Sequence, residues 1–191
     1  MYAVSTLMDP PVLVNAATGE QMTILESSNR SGVAAFAQQG DFIFLGDNKG
    51  AIYIVHTDSL KEKGKFQIKG SAMIKSIVFD SSGDHMIVNS SDKTLRIFSH
   101  SESEHSVWEQ TTEIADSINR LQWKCTCFSR DSDYILAGTA ELKEHNIYFY
   151  MKGYADIVKV LEGPKEGLMD VCVCLIGYRR FLLSLCANIC W

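Results

Sequence analysis

The first 124 residues contain no cysteine, and nowhere in the 191 residues do the usual sequence marks of catalysis occur. There is no G-x-x-x-x-G-K or G-x-G-x-x-G to cradle a phosphate, no G-x-S-x-G nucleophile turn and no H-E-x-x-H. There is no C-x-x-C or H-x-x-x-H, so zinc-ligand spacing is missing. No run of about 18 apolar residues exists, so no membrane-spanning helix is expected. The opening MYAVSTLMDPPVLVN lacks a charged segment followed by a long apolar one, so it does not read as a secretory signal. Basic residues are outnumbered 18 to 23, and a net charge of −5 argues against a broad nucleic-acid-binding face, leaving room for a local basic patch. What remains, 46% hydrophobic and 21% charged, is ordinary globular material.

A repeated sentence is present instead. FAQQGDFIFLGDNKGAIYIVHT starts at Phe36, FDSSGDHMIVNSSDKTLRIFSH at Phe79 and FSRDSDYILAGTAELKEHNIYFY at Phe128. Each reads aromatic, polar turn, apolar strand, small polar turn, apolar strand. The starts are 43 and 49 residues apart, near the period of about 40–45 residues of a WD-type propeller blade. The expected fold is therefore all-β: a partial WD-repeat β-propeller. It comprises a partial blade over 11–26, four-stranded blades over about 31–70, 71–112 and 123–162, and a further partial blade over 167–191. Closed propellers have four to eight blades, so the chain reads as one piece of a longer propeller. An arc with open edges is expected to aggregate or unfold without sharp cooperativity when alone. One stretch, EIADSINRLQ, carries Ile114, Ile118 and Leu121 at i, i+4 and i+7, which fits either a brief helix or a lead into the next blade.

Asp47 and Gly50 fall in the tight turn between two strands of the first full blade, and Asp92 in the corresponding turn of the second. An aspartate there accepts backbone hydrogen bonds and glycine takes positive φ, so turn formation is the preferred reading over acid–base chemistry. His56, His85, His100, His105 and His145 are scattered without a nucleophile at fixed relation, so no catalytic residue, metal ligand or cofactor contact is assigned. Cys125, Cys127, Cys172, Cys174, Cys186 and Cys190 read as small apolar residues of strands in a reduced, intracellular protein. The glycosylation triplets at Asn29 and Asn89 are of the kind that arises by chance. The basic turns Lys61–Lys65 and Arg179-Arg180 are ordinary solvated clusters or phosphate contacts. Trp123-Lys124 and Glu144-His145 pair a ring with a charge, suiting a partner contact, although a core tryptophan is at least as reasonable at Trp123.

The runs DSINRLQWKCTCFSRDSDYILAGTAELKEHNIYFY and IVKVLEGPKEGLMDV resemble the retinoblastoma-binding protein 5 family. The earlier segments VLVNAATGEQMTILE, GDFIFLGDNKGAIYIV and AMIKSIVFDSSGDHMIVNSSDKTLRIF resemble its preceding blades in the same order, so the likeness covers about Pro11 to Asp170. The chain departs from the pattern after Asp170, where VCVCLIGYRRFLLSLCANICW replaces an aliphatic-Trp-His-Pro turn. The WD dipeptide is replaced by Val55-His56, Phe98-Ser99 and Tyr150-Met151. The resemblance implies a non-catalytic, nuclear scaffold subunit of a SET/MLL (COMPASS-like) histone H3 lysine-4 methyltransferase complex. Its implied partners are the SET-domain methyltransferase, other core subunits and the nucleosome, with no membrane and no small-molecule substrate. The readings set against it are a propeller adaptor of an unrelated assembly, a non-functional truncated product, and an enzyme whose site lies in a propeller channel.

Overall fold

A computed structural model describes residues 1–4, 10–24, 31–100, 107–116, 120–140, 145–163, 165, 168, 170–175 and 181–185; for Ser31, 172–175 and 181–185 it describes the backbone alone. Among the described residues there are β-strands and no helix. Two compact units are distinguished: residues 1–77, 90–92 and 100–109, and residues 78–89, 93–99 and 110–191.

In the first unit, β1 (Tyr2–Val4), β2 (Val12–Val14) and β3 (Gln21–Thr23) form a three-stranded antiparallel sheet. Next come β4 (Ser31–Phe36), β5 (Phe42–Asp47), β6 (Ala51–His56) and β7 (Glu62–Gln67), a four-stranded sheet in chain order. The central strands β5 and β6 are almost wholly buried because FIFLGD and AIYIVH have apolar or small residues at nearly every position. Ile43, Leu45, Tyr53 and Val55 pack with Leu13 of β2 and with Ile24, the residue after β3. Two glycines of this unit are closely fitted, and one is Gly46, where a Cβ would stand 2.6 Å from Ile74 Cγ2. The other is Gly50, at φ +83°, where a Cβ would stand 2.8 Å from Ile68.

A second four-stranded sheet has the order β11-β10-β9-β8, from β8 (Ile74–Phe79), β9 (His85–Ser90), β10 (Leu95–His100) and β11 (Trp108–Ile114). The third, wholly in the second unit, is β12 (Trp123–Phe128), β13 (Tyr134–Thr139), β14 (Asn146–Met151) and β15 (Ile157–Glu162), again in chain order. A hairpin of β16 (Val171–Leu175) and β17 (Phe181–Leu185) follows. The core of the second unit gathers Ile87, Leu95, Ile97, Ile114 and Leu121 around Trp123, Phe128, Ile135, Ala137 and Tyr150. Ile114 closes strand β11 and Leu121 lies in an irregular segment, so the i, i+4, i+7 spacing comes from two anchors of one core. Ile118 lies outside the described residues.

The three repeats close the same turns with different chemistry. Each first strand ends on the repeat's phenylalanine, and four residues later the chain takes positive φ: Gly40 at +79°, Gly83 at +85° and Ser132 at +60°. At the next hairpin the second strand ends on Asp47, Ser90 or Thr139. Asp47 Oδ1 accepts from the backbone N–H of Lys49 (2.8 Å) and Ala51 (2.7 Å). Thr139 Oγ1 accepts from Asn146 N–H at 3.0 Å, whereas Ser90 Oγ donates to Asp92 Oδ1 at 2.6 Å.

Candidate functional site

Asp47 and Gly50 sit on either side of the β5–β6 turn, where Asp47 is buried and its Oδ1 is committed to backbone donors. Asp92 is exposed in the turn after β9; the strand end that matches Asp47 is Ser90, two residues earlier. These carboxylates are in use as turn acceptors.

In the ring-and-charge pairs, both rings are buried. Trp123 is 1% exposed, with its indole in the second unit's core, its Nε1 donating to Lys93 O at 3.1 Å and its own carbonyl accepting from Asn89 Nδ2 at 3.3 Å. Of the two readings of Trp123, partner contact and core side chain, this burial fits the second. Lys124, one residue on, points to solvent. His145 is also buried, and a Cβ on Gly163 would fall on its imidazole, so the glycine makes the ring's seat. Gly163 N–H donates to His145 O at 2.8 Å. Glu144 lies outside the described residues, as do Arg179, Arg180, His105, Asn29, Cys186 and Cys190.

The remaining titratable groups have structural surroundings. Lys65 Nζ donates to Tyr53 Oη at 3.1 Å and lies 4.5 Å from that ring's centroid; the hydrogen bond holds its pKa above the usual lysine value. His56 meets Phe42 edge to face, and His100 is tilted against Trp108. Among the described residues no cluster of three or more His, Cys, Asp or Glu is placed to hold a metal ion. Burial first, with Asp170 nearby adding to it, pushes the Cys125 thiol up to about 11. Neither the backbone donors nor Lys124 offsets this.

Two features in the second unit were not singled out from sequence. One is a polar knot: buried Asp80 accepts from Gly83 N–H (2.8 Å) and His85 N–H (3.2 Å), and its Oδ2 lies 3.0 Å from His85 Nδ1. Burial opposes ionisation of Asp80, but the His85 backbone and ring, Ser82 and Ser132 together outweigh it and hold the carboxyl below its usual range. Lys152 Nζ stands 3.3 Å from His85 Nε2, beside an open cleft of about 260 Å³ lined by Asp133, Tyr134, Met151, Lys152 and Gly153. An aspartate followed five residues later by histidine across a Gly-containing turn was the available sequence signal. The other is β15, where several apolar side chains face outward: Ile157 is 56% exposed and Val158 53%, while Leu161 packs inward.

Four-stranded antiparallel meanders, repeated with matching turns, define a β-propeller of the WD type, and a solved structure agrees. The β-propeller domain of Cps50 (Swd1) from Myceliophteria thermophila superposes with a TM-score of 0.79 at 22% identity, covering 88% of this chain and 58% of that one. No family model matches the sequence. Curated relatives do. "Retinoblastoma-binding-like protein E" of Dictyostelium discoideum is 38% identical over 149 residues, 76% of this chain and 28% of that protein. The "Retinoblastoma-binding protein 5 homolog" of Drosophila melanogaster is 32% identical over 148 residues, 73% of this chain and 30% of its own length. "Set1 complex component swd1" of Schizosaccharomyces pombe is 32% identical over 152 residues, 76% and 37%. Across about three-quarters of its length, this chain is a homologue of the retinoblastoma-binding protein 5, RBL and Swd1 proteins. It spans roughly a third of the length of those relatives.

Proposed function

We propose that this chain serves as a non-catalytic WD-repeat subunit of a Set1/MLL-type (COMPASS-like) complex that methylates lysine 4 of histone H3, and that it works in the nucleus. The carrying observation is the shared identity of 32% with a protein named as a Set1 complex component, over 76% of this chain. The geometry fits a presenting role. The buried carboxylates Asp47 and Asp80 accept backbone hydrogen bonds in turns, which fixes loops. Blades stiffened this way hold loops in place for the SET-domain methyltransferase and other core subunits. Exposed Lys61, Lys63 and Lys124 offer local positive charge for nucleosomal phosphate despite the net charge of −5.

The reading is tested by assaying methyl transfer to histone H3 from S-adenosylmethionine. The purified chain alone is expected to be inactive, and an immunoprecipitate of the tagged protein from its own cells is expected to methylate lysine 4. Activity from the lone chain, or an inactive immunoprecipitate, refutes the assignment.

A further inference from the structure

We propose that the outer edge of β15 takes up an extended segment of a partner protein as a fifth strand of its sheet. This goes beyond membership of any complex, since it follows from the edge itself.

Three described sheets end on a fourth strand with one unpaired side: β7, β11 and β15. Two are blunted by polarity. The outward residues of β7 are Glu62, Lys63, Lys65 and Gln67, and those of β11 are Glu109, Thr111 and Glu113. Charges on an edge are how sheets avoid pairing with other chains. In β15 the sequence is IVKVLE; Lys159 and Glu162 are exposed too, but most of the outward residues are apolar, Ile157, Val158 and Val160 being 56%, 53% and 40% exposed, next to Tyr154 at 77%.

The backbone says what kind of occupant fits. Gly163 N–H donates to His145 O, and the register pairs Leu161 with Ile147 and Lys159 with Phe149. In an antiparallel ladder alternate residues turn to the neighbour, so the N–H groups of Val160 and Glu162 point away from β14. An extended backbone satisfies such a row. The side chains specify it further. Ile157, Val160 and Glu162 share the face of Tyr150, Tyr148 and Asn146, whereas Lys159 and Leu161 share the other. Charge complementarity therefore calls for a strand of alternating β-branched residues, with a basic side chain beside Glu162 and an acidic one beside Lys159. A bulge at Val158, between the pairs Tyr150–Ile157 and Phe149–Lys159, leaves Lys159–Glu162 as the stretch in regular register, with Ile157 and Val158 as apolar contacts beside it.

The probe is a capped peptide of about eight residues, the length of an ordinary strand. It alternates valine and threonine, with one lysine and an aspartate three positions away. Added to the full chain, it is expected to slow amide exchange at Val160 and Glu162. The same peptide N-methylated at alternate positions is expected not to. Val160→Pro, which deletes one outward donor, is expected to weaken the peptide about tenfold or more. Continued slow exchange in β13 verifies that this variant is folded; if it is not, Val160→Lys serves in its place, with weakened binding again expected. Unchanged exchange at Val160 and Glu162, or equal binding of the N-methylated peptide, overturns the proposal. So does protection of these amides without peptide that rises with protein concentration, because the occupant is then a second copy of this chain.

Discussion

The indole Nε1 of Trp123 donates to the backbone carbonyl of Lys93, a residue held at φ +69°. Lys93 stands three residues after the strand end Ser90, as Gly50 stands three after Asp47, and Gly50 is at φ +83°. One hairpin thus uses a glycine for a left-handed residue. The other forces a lysine into that conformation and secures its carbonyl with a tryptophan from β12.

Trp123→Phe is therefore expected to destabilise the chain by about 1–2 kcal/mol, the hydrogen bond plus some packing, and Trp123→Ala by about 3–5 kcal/mol. Denaturant unfolding followed by circular dichroism checks both; a change within about 0.5 kcal/mol for Trp123→Ala contradicts the core placement.

Lys93→Gly is expected to stabilise by about 0.5–1 kcal/mol, since relief of the left-handed strain exceeds the entropy that glycine adds to the unfolded chain. The same unfolding experiment reads it, and a loss of stability counts against the strain.

Gly163→Ala sets a methyl on the imidazole of His145. An expected loss of about 1–3 kcal/mol follows from overpacking. In the double variant with His145→Ala much of that loss disappears, so a double-mutant cycle shows strong coupling; additive losses contradict the contact.

The Asp80 carboxyl has its pKa lowered by folding. The unfolded chain therefore binds a proton before the native one does. Stability from this group is present above the ordinary carboxylate range and is lost as pH falls through the depressed native value. Asp80→Asn is expected to flatten that part of the acid limb, measured as midpoint denaturant against pH. An unchanged profile speaks against the knot of Asp80, His85 and Ser82.

How much of this was legible in the sequence depended on the strand. FIFLGD, AIYIVH and YILAGT announce themselves because central strands buried on both faces are apolar throughout. Strand β1 is three residues, YAV, too short for alternation to register. Strand β11 runs Trp108–Ile114 as WEQTTEI, and its outward residues Glu109, Thr111 and Glu113 mask the apolar pattern. The clearest lesson is Trp123-Lys124. Neighbours on a strand point to opposite faces, so an exposed Lys124 implies a buried Trp123, and the buried–exposed–buried order of Trp123, Lys124 and Cys125 shows it. The apolar edge of β15 was not legible, because IVKVL reads the same whether a strand is central or outermost.

The most direct measurement is affinity purification of the endogenously tagged protein, with the recovered proteins identified by mass spectrometry. The account predicts near-stoichiometric recovery of a SET-domain methyltransferase together with other subunits of a COMPASS-like core. Recovery of a different stable assembly with no such methyltransferase would contradict it.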